Sequence, residues 1–225
     1  MIRRTVLIGL ICAAPLARGG TANAQAIQLT PSDPKRWDVG VHAGWLSGHR
    51  SELAEEWNDW YDAFAASVDA GRYWTPHLKT EVGGIFTTEG TVYSSGRLEV
   101  PPQPFPIFYT RQHHVRLDAL TASASWQFFE NAPVHPFVAA GVHIGRERTR
   151  TDVPFGVAFD REGRPIQVPP PAGTIEVDVA VRPFVAGGAK FYVTENGFFR
   201  TDLSVVTGAG GVSRVHWRAG FGVDF

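Results

Sequence analysis

The chain has 225 residues, of which 44% are hydrophobic and 12% aromatic, with 24 Gly, 16 Pro, one Cys and a formal charge of −1. That length allows one large domain or two small ones; the balanced charge argues against a nucleic-acid-binding chain and the aromatic content argues against disorder. No apolar run reaches the roughly 18 residues that a membrane-spanning helix needs.

The first 24 residues differ from the rest. Arg3 and Arg4 give a positive start, Val6 to Ala14 is apolar, and Ala22-Asn23-Ala24 forms an A-x-A cleavage signature, the three parts of a secretory signal peptide. The mature chain is expected to begin at Gln25. Cys12 and the only Met then leave with the signal, so no disulfide or Cys-based metal site is expected. The segment carries Arg3, Arg4 and Arg18 and no acid, so its removal takes the formal charge from −1 to −4.

From Trp37 onward the apolar residues recur with period 2. The pattern predicts eight strands, roughly 37–47, 63–74, 78–92, 108–129, 137–150, 174–193, 198–207 and 212–225. Between Ile175 and Val193 the odd positions are mostly apolar, whereas the even ones carry Glu176, Asp178, Arg182 and Lys190. Such alternation puts one apolar and one polar face on a strand. These segments are long; about ten tilted residues cross a bilayer, while soluble strands average five or six. The fourth segment changes phase, with Val115, Leu117 and Ala119 on one parity and Leu120, Ala122, Ala124 and Trp126 on the other, which predicts a β-bulge near Ala119.

Short connectors at Thr75-Pro76-His77, Glu130 to Pro136 and Thr194 to Gly197 alternate with longer ones at Gly48 to Asp62, Tyr93 to Ile107 and Thr151 to Gly173. Ser51 is placed to cap a short helix toward Trp57. Prolines crowd 101–106 and 169–171, and Asp160 to Gly163 is a hairpin signal. Gly208 to Gly211 predicts a tight turn. Large rings stand at one end of the strands: Trp37, Trp74, Trp126, Phe191, Phe199 and Phe225.

The final residues, with Arg218, Gly220, Val223 and Phe225, look like the C-terminal insertion signal of bacterial outer-membrane barrels. Pro136-Phe137-Val138-Ala139-Ala140-Gly141 and Pro183-Phe184-Val185-Ala186-Gly187-Gly188 resemble the strand starts of the eight-stranded OmpA-like, opacity-type family, and Arg72 to Leu78 and Phe191 to Gly197 are similar to its periplasmic turns. The resemblance covers Trp37 to the end. It implies an all-β fold, a closed antiparallel up-and-down transmembrane β-barrel of eight strands. The domains expected are a signal peptide at 1–24, a short periplasmic segment at 25–36 and the barrel at 37–225. It further implies the outer membrane as location and a monomer. The expected partners are outer-membrane lipid and lipopolysaccharide, the barrel-assembly machinery and an extracellular ligand of unspecified kind; nucleic acid is not expected. The six rings named above become a periplasmic aromatic girdle. No peptidoglycan-binding domain follows Phe225, so the wall-tethering role of longer relatives is not expected.

An eight-stranded barrel has room inside for side chains but not for an open aqueous channel. The inward parity predicts a polar interior network of Lys79, Glu81, Glu176, Asp178, Arg182, Lys190, Arg200, Asp202, Arg214 and Arg218, with Asp38, His42, Asp69, Asp118, His143, His216 and Asp224 facing inward too. The expected role is structural or surface-interacting, with a narrow ion path as the alternative. A lipid-A hydrolase or acyltransferase is a third reading, since His113 and His114 lie near the outer rim; but adjacent residues on a strand point to opposite faces, and neither His has a Ser two residues away. His113, His114 and His135 show no recognisable metal-ligand spacing. No catalytic, metal or cofactor site is expected.

Overall fold

A computed structural model describes residues 36–49, 60–98, 107–129, 132–152, 156–159, 165–168 and 173–225. The expected signal peptide, nearly all of the segment 25–36, the helix from Ser51 and both proline-rich stretches lie outside the described residues. The strands are β1 (Trp37–His49), β2 (Trp60–Tyr73), β3 (Leu78–Thr87), β4 (Gly90–Leu98), β5 (Ile107–Gln127), β6 (Val134–Asp152), β7 (Gly156–Phe159), β8 (Pro165–Val168), β9 (Thr174–Tyr192), β10 (Gly197–Gly208) and β11 (Gly211–Asp224).

Nine strands form one antiparallel sheet in the order β3-β2-β1-β11-β10-β9-β6-β5-β4, and β3 also pairs with β5. β3 lies against residues 118–126 of β5 and β4 against residues 107–115, so the two share one stave. The result is a closed eight-stranded barrel. Its seam joins β1 to β11 from Asp38–Asp224 to Gly48–Arg214, with the Phe225 amide donating to the Trp37 carbonyl at 2.9 Å. β7 and β8 pair as a separate hairpin in the third long connector, on either side of the polar turn signal.

The alternation is inverted relative to a soluble sandwich. Along β1 the buried side chains include Asp38 and His42, while Val39, Val41 and Trp45 are exposed. A face of this kind is stable against an apolar solvent and not against water. The outward rings form two rows. Trp37, Trp74, Trp126, Phe191, Phe199 and Phe225 share the end reached by the short turns, with Phe199 half-buried between Phe191 and Phe221. The second row was not anticipated: Trp45 stands opposite Phe64 on β2 and Trp217 on β11, and Phe86 follows on β3. Trp45 lies eight residues beyond Trp37, about 26 Å along the strand at ~3.3 Å per residue, or about 20 Å along the axis at a tilt near 40°.

The expected bulge near Ala119 is absent. β5 holds an unbroken register with β6 from Gln112–Asp152 to Gln127–Phe137, and Val115, Leu117 and Ala119 face inward while Leu120, Ala122, Ala124 and Trp126 face outward. The phase change is a change of which face is apolar, not a slip of the chain. A register shift does occur in β10–β11, between Val206 and Thr207, just below the Gly208–Gly211 turn, where Gly211 takes a φ of 112°.

Candidate functional site

The lumen is built by the inward parity of all eight staves, and its lower half, near the aromatic rim, is a connected set of ion pairs. Lys79 donates to Asp38 at 2.6 Å and lies 2.7 Å from Glu81; Lys190 donates to Asp224 at 2.6 Å and lies 3.3 Å from Asp38. Tyr73 donates to Asp38 at 3.1 Å and accepts from Lys190 at 2.8 Å, and Tyr192 donates to Asp224. One layer up, Arg200 donates to Glu81 at 2.6 Å and to Asp202 at 2.8 Å, and Arg218 donates to Asp202 at 2.8 Å and to Asp69 at 3.3 Å. His42 stands 3.1 Å from Asp69. All these carboxylates and cations are buried or nearly so, and buried charges persist only when paired.

The Arg200–Glu81 pair matters most. Arg200 is on β10 and Glu81 on β3, and three staves lie between them in either direction around the ring, so their contact spans the full bore. Phe137 from β6 lies under the guanidinium, 4.5 Å from its carbon. Above this crossing a small cavity lies among Thr121, Ser123, His143, Ser204, His216 and Arg218. Higher still the lumen has two walls. On the β1–β5 side Leu46, Tyr61, Ala65, Ile85, Val92, Val115, Leu117 and Ala119 make an apolar cluster. The opposite wall is polar, with Arg214 donating to Glu147 at 2.6 Å.

Of the interior residues expected from parity, Lys79, Glu81, Lys190, Arg200, Asp202 and Arg218 join the network, Arg214 pairs separately, and Arg182 is half-buried near Gly208. Glu176 and Asp178 require correction: both are exposed. Their parity is inward, but β9 pairs with β10 only as far as Phe184–Val206, and the β10–β11 hairpin turns back at Gly208–Gly211, so no wall encloses them. Asp118 also faces outward, 3.4 Å from Arg116. Tyr73, Tyr192 and Gln127 were missed as network members and Glu147 as the partner of Arg214, although extending the parity of Asp69 down β2 leads to Tyr73. Arg218 and Gly220 of the C-terminal pattern face the lumen and Val223 and Phe225 face out. Gly220 is required there, because a Cβ would strike the Val41 carbonyl oxygen and His42.

A further arrangement lies near the upper rim. Ser94 Oγ is 2.8 Å from His113 Nε2, and His113 Nδ1 is 2.9 Å from Thr151 Oγ1. The first distance suits a nucleophile and its base. The third member, however, is a neutral hydroxyl, which lacks the charge that stabilises an imidazolium. His114 faces the opposite way, 3.4 Å from Asp152, and His135 lies at the other end of β6. Among the described residues no group of three or more His, Cys, Asp or Glu is placed to hold a metal ion.

No family model and no curated protein matches the chain. Solved structures do. Neisserial surface protein A superposes with a TM-score of 0.53 at 16% identity, covering 84% of this chain and 97% of that one. The fold is that of the eight-stranded outer-membrane barrels. The attachment invasion locus protein Ail of Yersinia pestis gives a TM-score of 0.46 at 10% identity over 84% and 99% of the two chains, and the outer-membrane protease OmpT of Escherichia coli gives 0.45 at 10% over 86% and 98%.

Proposed function

We propose that this chain is a bacterial outer-membrane barrel with a structural or surface-interaction role, and that it is not a conduit. The observation carrying the second half is the Arg200–Glu81 contact between opposite staves, backed by Arg218, Asp69 and Asp202. An ion would have to break several buried charge-assisted bonds and then pass the Leu46–Leu117 cluster. The two outward aromatic rows, with Val41 and Val82 exposed between them, support insertion in a bilayer. The upper ends of β5, β6 and β9, rising past the β10–β11 turn, are the parts offered to partners outside the cell.

Refolded protein is expected to migrate faster on gels unboiled than boiled and to give no unitary conductance in planar bilayers. Glu81→Ala combined with Arg200→Ala, which clears the bore crossing, is expected to open small conductance steps. Steady single-channel currents from the wild type would overturn the non-conducting reading, and recovery of the native chain in a detergent-free soluble fraction would overturn the membrane reading.

A further inference from the structure

Three histidines point into the lumen in the layer above the Arg200–Glu81 crossing: His42 on β1, His143 on β6 and His216 on β11, all buried. His42 has a carboxylate within reach, Asp69 at 3.1 Å. The other two differ. Both ring nitrogens of His143 and the Nε2 of His216 are enclosed without a hydrogen-bond partner, and these residues are only 2% and 3% exposed. An unpaired polar group in a dry interior costs about 1–3 kcal/mol, so nitrogens of this kind call for something to bind.

What faces the two rings limits the choice. His143 stands beside Thr121 of β5 and Arg182 of β9 in the ladders, and close to Arg214 and His216 of β11. His216 is close to Arg218 on its own strand, Asp202 on β10 and His42 on β1. The carboxylates that reach this layer are already held by guanidiniums: Asp202 by Arg200 and Arg218 at 2.8 Å each, Glu81 by Arg200 at 2.6 Å and Glu147 by Arg214 at 2.6 Å. A proton on either ring therefore adds positive charge among Arg182, Arg214 and Arg218, with no uncommitted carboxylate to receive it. A buried charge left in that condition is strongly unfavourable.

There is room between the rings for a countercharge. The cavity that His143 and His216 line has a volume of about 30 Å³, with the hydroxyls of Thr121 and Ser204 on its wall and Arg218 beside them. One water needs about 10–15 Å³, so the space suits two waters or one halide. We infer that this cavity is a proton-coupled site for a small monovalent anion of chloride size. With both rings neutral it takes water; with both protonated, one anion enters between the two imidazoliums and Arg218, which all donate to it. The crossing of Arg200 with Glu81 seals the bore below, so the ion comes and goes by the upper mouth and does not pass through. Bound only to the folded, protonated barrel, it raises stability in acid by mass action.

The test follows the imidazole nitrogens of the mature chain by NMR in neutral detergent micelles, from about pH 8 to about pH 4, either side of the ordinary histidine value near 6.5. Sodium chloride is compared with sodium gluconate at equal ionic strength, gluconate being too large for the cavity. The titration midpoints of His143 and His216, summed, are expected about one pH unit higher in chloride, the shift that follows when the anion stands near ten times its Kd. His77, on a short turn at the other end of the barrel, is expected to titrate alike in both salts. Ser204→Leu fills the cavity without removing a charge and is expected to abolish the chloride dependence of both rings, its heat-modifiable migration showing that it still folds; Ser204→Val carries the same test where leucine is not accepted. Equal midpoints in the two salts, a chloride shift that survives filling of the cavity, an equal shift at His77, or rings that stay neutral to about pH 4 in chloride would each overturn the inference and leave the closed barrel standing.

Discussion

β5 and β6 wear two different surfaces along one uninterrupted pairing. Below the Leu120–Ile144 rung both are apolar outside and β5 turns Thr121, Ser123, Ser125 and Gln127 inward; above it the outside carries Arg116, Arg146, Arg148 and Arg150 while β5 buries Val115, Leu117 and Ala119 inside. The backbone does not change, so the change lies in the surroundings that each half must satisfy. Where the wall faces lipid its polar side chains must turn inward and pair there, and where the wall faces water β5 is free to turn its apolar side chains inward instead. The inversion at Asp118–Ala119–Leu120 is thus a boundary marker written in side-chain parity.

The strongest way to break this comparison is to remove matched charges from its two halves. Arg200→Ala strips the buried Glu81, Asp202 and Asp69 of a shared cation and is expected to lower stability by about 3–5 kcal/mol. Arg150→Ala removes an exposed pair with Asp152 and is expected to cost about 0–1 kcal/mol. Urea unfolding of the protein folded into lipid vesicles measures both. Equal losses would mean that the lower lumen is wetter than its geometry implies.

Adding a charge sharpens the same boundary from outside. Val82 is exposed midway along β3 between Leu78 and Phe86, and Val177 is exposed on β9 two rungs above Val181. Val82→Arg is expected to destabilise the vesicle-folded barrel by about 2–4 kcal/mol and Val177→Arg by about 0–1 kcal/mol. A penalty at Val177 as large as that at Val82 would place the lipid boundary higher than the arginine ladder.

The membrane-facing half was legible in the sequence because period 2 and ring placement are local signals. Strand positions, the girdle residues and the parity of Lys79, Glu81, Arg200 and Arg218 all follow from them. Three things were not legible. Parity says which way a residue points but not how high the wall stands, so Glu176 and Asp178 read as interior although β10 ends below them. A swap of the apolar face looks the same in one strand as a bulge, and only the pairing with β6 separates the two. Contacts across the bore, such as Arg200 with Glu81, depend on which staves are opposite, which is a property of closure and not of any single segment.

The smallest effect tests whether the upper half carries chemistry. Ser94, His113 and Thr151 come from β4, β5 and β6, so their hydrogen bonds tie three neighbouring strands near the rim. In a structural role each bond contributes about 0.5–1.5 kcal/mol net. Ser94→Ala is then expected to lower stability by about 1 kcal/mol, and Ser94→Thr, which keeps a hydroxyl at the same point, is expected to recover part of it. A nucleophilic serine behaves differently, because it needs His113 to take its proton and a charged or well-oriented partner to hold the imidazolium, and Thr151 supplies orientation without charge. A serine-directed fluorophosphonate is therefore expected to leave the folded barrel unlabelled. Labelling that disappears in both Ser94→Ala and His113→Ala would move the Ser94–His113 pair from bracing to catalysis, and would make the water-facing half of the barrel its working end.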